Sequence, residues 1–227
     1  MRIEVIVQNA EEAKQAERLG ADRLELVSAI SEGGLTPSYG TIKTVLSQVS
    51  IPVQVMIRPH SYLYQYTDAE WKVIQEDIQA VLDLGGKGIV FGALTKENKV
   101  DETILQNLLK TFPSIDITFH RAFDETFDLI EAYKTLMNYP IRRILTSGGA
   151  ENCVEGKDKL RELVQLSKEM DGPSIMPGAG LTADNITEIH EHVQSEEYHF
   201  GKAVRHNASF QKGFSQEVMQ RLTDWKK

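Results

Sequence analysis

The sequence predicts an α/β protein, a TIM-type (β/α)8 barrel in a single domain. Three observations lead there. Short β-branched or apolar runs alternate with amphipathic helical stretches in eight beats. The runs are nearly continuously apolar, as expected of parallel strands covered by helices on the outside. No linker, low-complexity run or shift in composition divides the 227 residues, so all eight beats belong to one unit, with 204–227 as a C-terminal tail or helix. A doubly wound open sheet is the alternative architecture. It would usually carry a glycine-rich dinucleotide fingerprint after its first strand, whereas this first strand runs into Gln8-Asn9-Ala10.

The strand candidates, in order, are Ile3–Gln8, Arg23–Val27, Val53–Ile57, Gly88–Gly92, Asp116–His120, Arg143–Ser147, Ser174–Met176 and Tyr198–Ala203. The helices between them carry their own punctuation. Thr67-Asp68-Ala69-Glu70 reads as a capping box, and Trp71, Ile74, Ile78 and Val81 follow at helical spacing. Thr36 precedes Pro37, a residue favoured at the first helical position, and Asp101 and Thr182 read as further N-caps. Gly20 and Gly85 each follow a leucine and precede a strand, as helix stops do.

Composition narrows the partners. Acidic residues outnumber basic ones by 33 to 25, a formal charge of −8. No basic surplus is available to neutralise phosphates, which argues against nucleic acid. The longest apolar stretch, near Gly88 to Leu94, is far short of a membrane span, and the N-terminus lacks the apolar core of a signal peptide. One cysteine, Cys153, excludes an internal disulfide and fits a reducing cytoplasm.

In a barrel, chemistry sits at the C-terminal strand ends. Glu4, Arg23 and Glu25 point to one side of their strands. Glu4 and Arg23 are expected to pair low in the barrel, and Glu25, nearer the top, is a catalytic candidate. Arg58 ends the third strand, where a guanidinium can hold a carboxylate or phosphate. Thr118-Phe119-His120-Arg121-Ala122-Phe123-Asp124 is the densest chemical cluster in the chain. It offers His120 as general acid or base, oriented by a carboxylate such as Asp124 or Glu25, and Arg121 as a second anion contact. The turns Ser147-Gly148-Gly149 and Gly178-Ala179-Gly180 end successive late strands and can present backbone N–H groups to a phosphate. His190, His192 and His206 read as surface residues. Together these positions suggest an enzyme acting on a small anionic or phosphorylated metabolite.

Several strings occur together and in order: Gly20-Ala21-Asp22-Arg23-Leu24-Glu25-Leu26, Ser31-Glu32-Gly33-Gly34-Leu35-Thr36-Pro37-Ser38, Met56-Ile57-Arg58-Pro59, Thr118 to Asp124, Leu145-Thr146-Ser147-Gly148-Gly149 and Ile175-Met176-Pro177-Gly178. In these the chain strongly resembles the CutC family of cytoplasmic copper homeostasis proteins. The resemblance implies a TIM-type barrel, often a homodimer, with Cu(I) binding attributed to some members. Relatives with proposed copper cysteines carry them near the ends of the first two strands, where this chain has Ile6 and Val27. Cu(I) prefers sulfur ligands, so a copper site here would draw on Met56, Met176 and His199, with His120 as a further donor.

Overall fold

A computed structural model describes residues 1–226 and shows a (β/α)8 barrel. The strands are β1 (Arg2–Val7), β2 (Arg23–Leu26), β3 (Val53–Met56), β4 (Gly88–Phe91), β5 (Asp116–Phe119), β6 (Arg143–Thr146), β7 (Ser174–Pro177) and β8 (Glu197–Phe200). The helices are α1 (Ala10–Arg18), α2 (Tyr39–Leu46), α3 (Asp68–Asp83), α4 (Glu102–Thr111), α5 (Leu129–Leu136), α6 (Lys157–Met170), α7 (Ile186–Val193) and α8 (Gln216–Trp225). All strand pairs are parallel, in the order β7-β6-β5-β4-β3-β2-β1-β8. The barrel closes between β7 and β8 through a single parallel bridge, Gly178 to His199. Gly178 is required there: a Cβ on it would lie 2.4 Å from Leu145 and 3.2 Å from His199.

Helix signals read from the sequence hold where local chemistry is complete. Thr67 caps α3 in a full capping box, its backbone N–H donating to Glu70 at 2.7 Å. Ile74, Ile78 and Val81 are buried beneath it, each contributing about 1.5–3 kcal/mol of apolar burial. Gly20 and Gly85 follow their helices with positive φ, the left-handed stop that glycine adopts without strain.

Other boundaries moved. The second helix starts at Tyr39 with Ser38 as its cap, so Pro37 lies outside it. Thr182 caps a turn that precedes α7, accepting from Asp184 and Asn185, and the helix itself begins at Ile186. The last strand ends at Phe200, three residues early, because Lys202–Val204 winds into a 3-10 turn. The residues after 204 include a well-formed α8, whose Trp225 packs edge-on against Tyr198 and His190. His190 is therefore no surface residue. It is half-buried and hydrogen-bonded to the Tyr198 hydroxyl at 2.8 Å.

The lower barrel interior holds charge, and the charge is paired as expected. Arg23 donates to Glu4 and, at 2.6 Å, to Glu197, while Arg143 reaches Asp116 at 3.0 Å. Burial favours neutrality, so these groups persist as ions only because each faces an opposite charge.

Candidate functional site

A cavity of about 410 Å³ opens at the C-terminal end of the barrel. Its volume suits a small metabolite. Strands β1, β2 and β3 supply Ile6, Glu25 and Met56 to its wall, and the loop after β3 supplies Arg58. His120 and Arg121 enter from the end of β5, and His199 from β8. The late loops add Gly178, Gly180 and Lys202, and Phe210 from beyond β8 helps close the mouth. Much of the wall is aliphatic or aromatic, with Ile6, Ile30, Met56, Leu145 and Phe210 lining it, and Ile6 and Met56 pack with Val27 and Val90 in a small buried cluster behind it.

Glu25 and His199 lie at the floor with Glu4 buried just behind them, and the ligating atoms of the three all fall within 4.8 Å of one another. The His199 ring donates Nδ1–H to Glu4 at 2.8 Å, and its Nε2 faces Glu25 Oε2 at 3.7 Å. Burial opposes charge on Glu4, but the Arg23 guanidinium and the His199 hydrogen bond outweigh it and hold this carboxyl at about 2. Glu25 has no such support. Burial pushes it up to about 7 against the attraction of His199, with the Glu4 charge adding to the rise. Burial also works against a charge on His199, yet Glu25 and Glu4 together raise it above the ordinary histidine range. Glu25 Oε1 is buried with no partner.

Higher in the wall, His120 accepts a hydrogen bond from the Ala122 backbone at Nδ1 (3.2 Å), so its ring proton sits on Nε2. Gly92 makes room for the ring: a Cβ at that position would come within 2.7 Å of Cε1 and Nδ1. Burial, and after it the positive charge of Arg58, lower His120 to about 3, so the imidazole is neutral at physiological pH. Arg58 stacks over Tyr64, with Cζ 4.8 Å from the ring centroid, and Tyr64 in turn touches His120 (centroids 4.9 Å apart).

The structure thus brings Glu25, Met56, Arg58, His120, Arg121, Gly178, Gly180 and His199 to one cavity. It places Asp124, Ser147, Gly148, Gly149 and Met176 elsewhere. The Asp124 carboxylate accepts from Thr146 Oγ1, from the backbone N–H groups of Ser147 and Gly149, and from Arg121 Nε at 2.8 Å. It fastens the loop after β6 and does not orient His120, whose Nδ1 is taken by Ala122. The Ser147-Gly148-Gly149 turn is folded onto that carboxylate and does not present its N–H groups to the cavity. Met176 is fully buried below the floor, where its sulfur accepts from Arg23 at 3.0 Å. The sequence reading missed Tyr64 and Phe210 in the wall. Tyr64 carried a faint signal as one of several tyrosines in one polar loop, and Phe210 carried none in a stretch read as tail.

Comparison with known proteins decides the family. The CutC family model matches residues 1–204. A human protein named copper homeostasis protein cutC homolog is 40% identical over 197 residues, covering 87% of this chain and 71% of its own length. The chain belongs to the CutC family. A crystal structure titled as the putative copper homeostasis protein CutC from Streptococcus agalactiae is 30% identical, with a TM-score of 0.81, covering 88% of this chain and 98% of that one. Phosphoribosyl anthranilate isomerase from Thermotoga maritima shares the fold alone, at 10% identity and a TM-score of 0.66 over 100% of this chain and 98% of that one.

In this CutC chain, Ile6 and Val27 are part of the apolar cluster in the upper barrel. The sole thiol, Cys153, is buried beside the carbonyl of Gly178 at 3.2 Å, and burial pushes it up to about 12. A thiol held neutral in this way is neither a nucleophile nor a copper-ready thiolate.

Proposed function

We propose that this CutC protein acts in copper homeostasis, the role carried by the name of its human relative, and that it handles copper at the cavity floor without a thiolate. The observation that carries the reading is His199. Its Nδ1 is held by one carboxylate, Glu4, and its Nε2 faces a second, Glu25, so a metal ion that displaces the Nε2 proton would find the imidazole already oriented. An oxidised copper ion would take His199 and Glu25, donors of the borderline and hard kind. In a reducing cytoplasm, where we place the protein, Cu(I) would take His199 and the Met56 thioether on the same cavity wall. A homodimer belongs to the same proposal.

Titration of the metal-free protein with Cu(II), and with Cu(I) against a chelator of known affinity, tests it. Replacing His199 by Gln is expected to weaken both oxidation states at least tenfold. Glu25→Gln should weaken Cu(II) selectively, and Met56→Leu should weaken Cu(I). Unchanged copper affinity in the His199 variant would overturn the assignment.

A further inference from the structure

We infer that the upper half of the cavity is a receptor for a small organic anion, a carboxylate or phosphate head on an apolar body, and that Arg58 and His120 hold the head. Buried arginines across the molecule carry the argument. Among the described residues four arginines are buried: Arg23 (3% exposed), Arg58 (6%), Arg143 (5%) and Arg205 (2%). Arg23 is neutralised by Glu4 and Glu197, Arg143 by Asp116, and Arg205 by Glu12 at 2.6 Å. Arg58 alone forms no ion pair with any described carboxylate. Its terminal nitrogens donate only to the backbone carbonyls of Glu32 (3.2 Å), Gly34 (3.4 Å) and Ser61 (3.2 Å), and its Nε is buried without a partner.

A desolvated cation without a counter-charge is costly, and so is a buried donor with no acceptor. The cavity wall holds both. His120 presents a second unpartnered donor, Nε2–H, and shares Tyr64 with Arg58 as a neighbour. One ligand anion would satisfy both groups. Lys202 adds positive charge at the same cavity, where Arg121 is already paired with Asp124 and Glu25 is the only acidic lining residue among the described residues. This local balance is opposite to the net charge of −8 on the chain. The apolar side of the cavity, with Ile6, Met56, Leu145 and Phe210, sets the rest of the ligand: a hydrocarbon or aromatic body of a few atoms, without further charge. The inference does not depend on copper, and its test uses metal-free protein.

The test is a matched series of probes, benzoate, phenyl phosphate, benzamide and inorganic phosphate, titrated into the full chain by calorimetry or by ligand-observed NMR. Benzoate or phenyl phosphate is expected to bind at least tenfold more tightly than benzamide, which has the body without the charge, and more tightly than inorganic phosphate, which has the charge without the body. Whichever of the two aromatic anions binds more tightly identifies the head as carboxylate or phosphate. The Arg58→Met variant is expected to lose at least tenfold in that affinity, His120→Asn several-fold, and Arg58→Lys, which keeps the charge, less than Arg58→Met. Equal binding of benzoate and benzamide by the unaltered protein would overturn the proposal. So would undiminished anion binding by a folded Arg58→Met variant.

Discussion

His120 makes the folded protein acid-sensitive in a way that one substitution isolates. Burial first, and the Arg58 charge second, lower its pKa from 6.5 to about 3. The unfolded chain therefore takes up a proton as the pH falls through 6.5, and the folded chain does not until about pH 3. The sign follows: the contribution is absent above the unfolded value and becomes destabilising below it. At pH 5 the cost is about 2 kcal/mol, from the one-and-a-half pH units below the unfolded pKa at about 1.36 kcal/mol each. For a chain of this size that lowers the melting temperature by about 4–8 °C. His120→Asn removes the titration while keeping a side-chain oxygen where Nδ1 accepts from the Ala122 N–H. Calorimetric unfolding at pH 7 and pH 5 should show the unaltered protein losing about 2 kcal/mol more than the variant. Parallel pH profiles for the two proteins would refute the reasoning, because they would mean that His120 is protonated, and therefore solvated or paired, in the folded state.

Two further outcomes follow from the buried network and the lone thiol. Glu4→Gln leaves Arg23 short of one counter-charge and unties His199, and should lower stability in urea unfolding by about 3–5 kcal/mol, whereas a loss under about 1 kcal/mol would contradict the pairing. Cys153, pushed up to about 12, should react with iodoacetamide at pH 8 about a thousandfold more slowly than an unperturbed thiol until the protein unfolds, and a rate near that of the free thiol would contradict its burial.

The barrel was legible in the sequence because parallel strands buried on both faces read as apolar runs, and every one of the eight runs became a strand. Boundaries were legible where a local reciprocal signal existed. The Thr67–Glu70 capping box marks the start of α3 because both partners lie within four residues. Pro37 and Thr182 misled because Ser38 and Asn185, a few residues on, occupy the cap positions. The site was legible one strand at a time: alternation placed Glu25, His120 and His199 inward. What alternation could not supply was the partner across the barrel. That Asp124 would be consumed by Thr146, Ser147 and Gly149, and that His199 would be fixed by Glu4, depends on the stagger between strands and on the closure at Gly178. The same long-range geometry made Met176 a neighbour of Arg23 and removed it from the cavity.

The contrast between Arg23 and Arg58 gives the charge argument a thermodynamic edge that needs no ligand. The two guanidiniums are similarly buried, 3% and 6% exposed. Replacing Arg23 by Met leaves Glu4 and Glu197 as uncompensated buried carboxylates, at a cost of about 3–5 kcal/mol. Replacing Arg58 by Met strands no charge. It removes one that the folded state holds without a counter-charge and frees three backbone carbonyls, acceptors whose partial satisfaction proteins tolerate better than an orphaned N–H. The expected loss for Arg58→Met is therefore about 1–3 kcal/mol, smaller than for Arg23→Met in the same urea-unfolding measurement. A buried arginine that lacks a counter-charge within the fold makes physical sense where something else meets that charge, and the cavity it lines is the place for it. Equal losses for the two variants would mean that Arg58 is compensated within the folded chain, and the case for an anion at that position would fall with it.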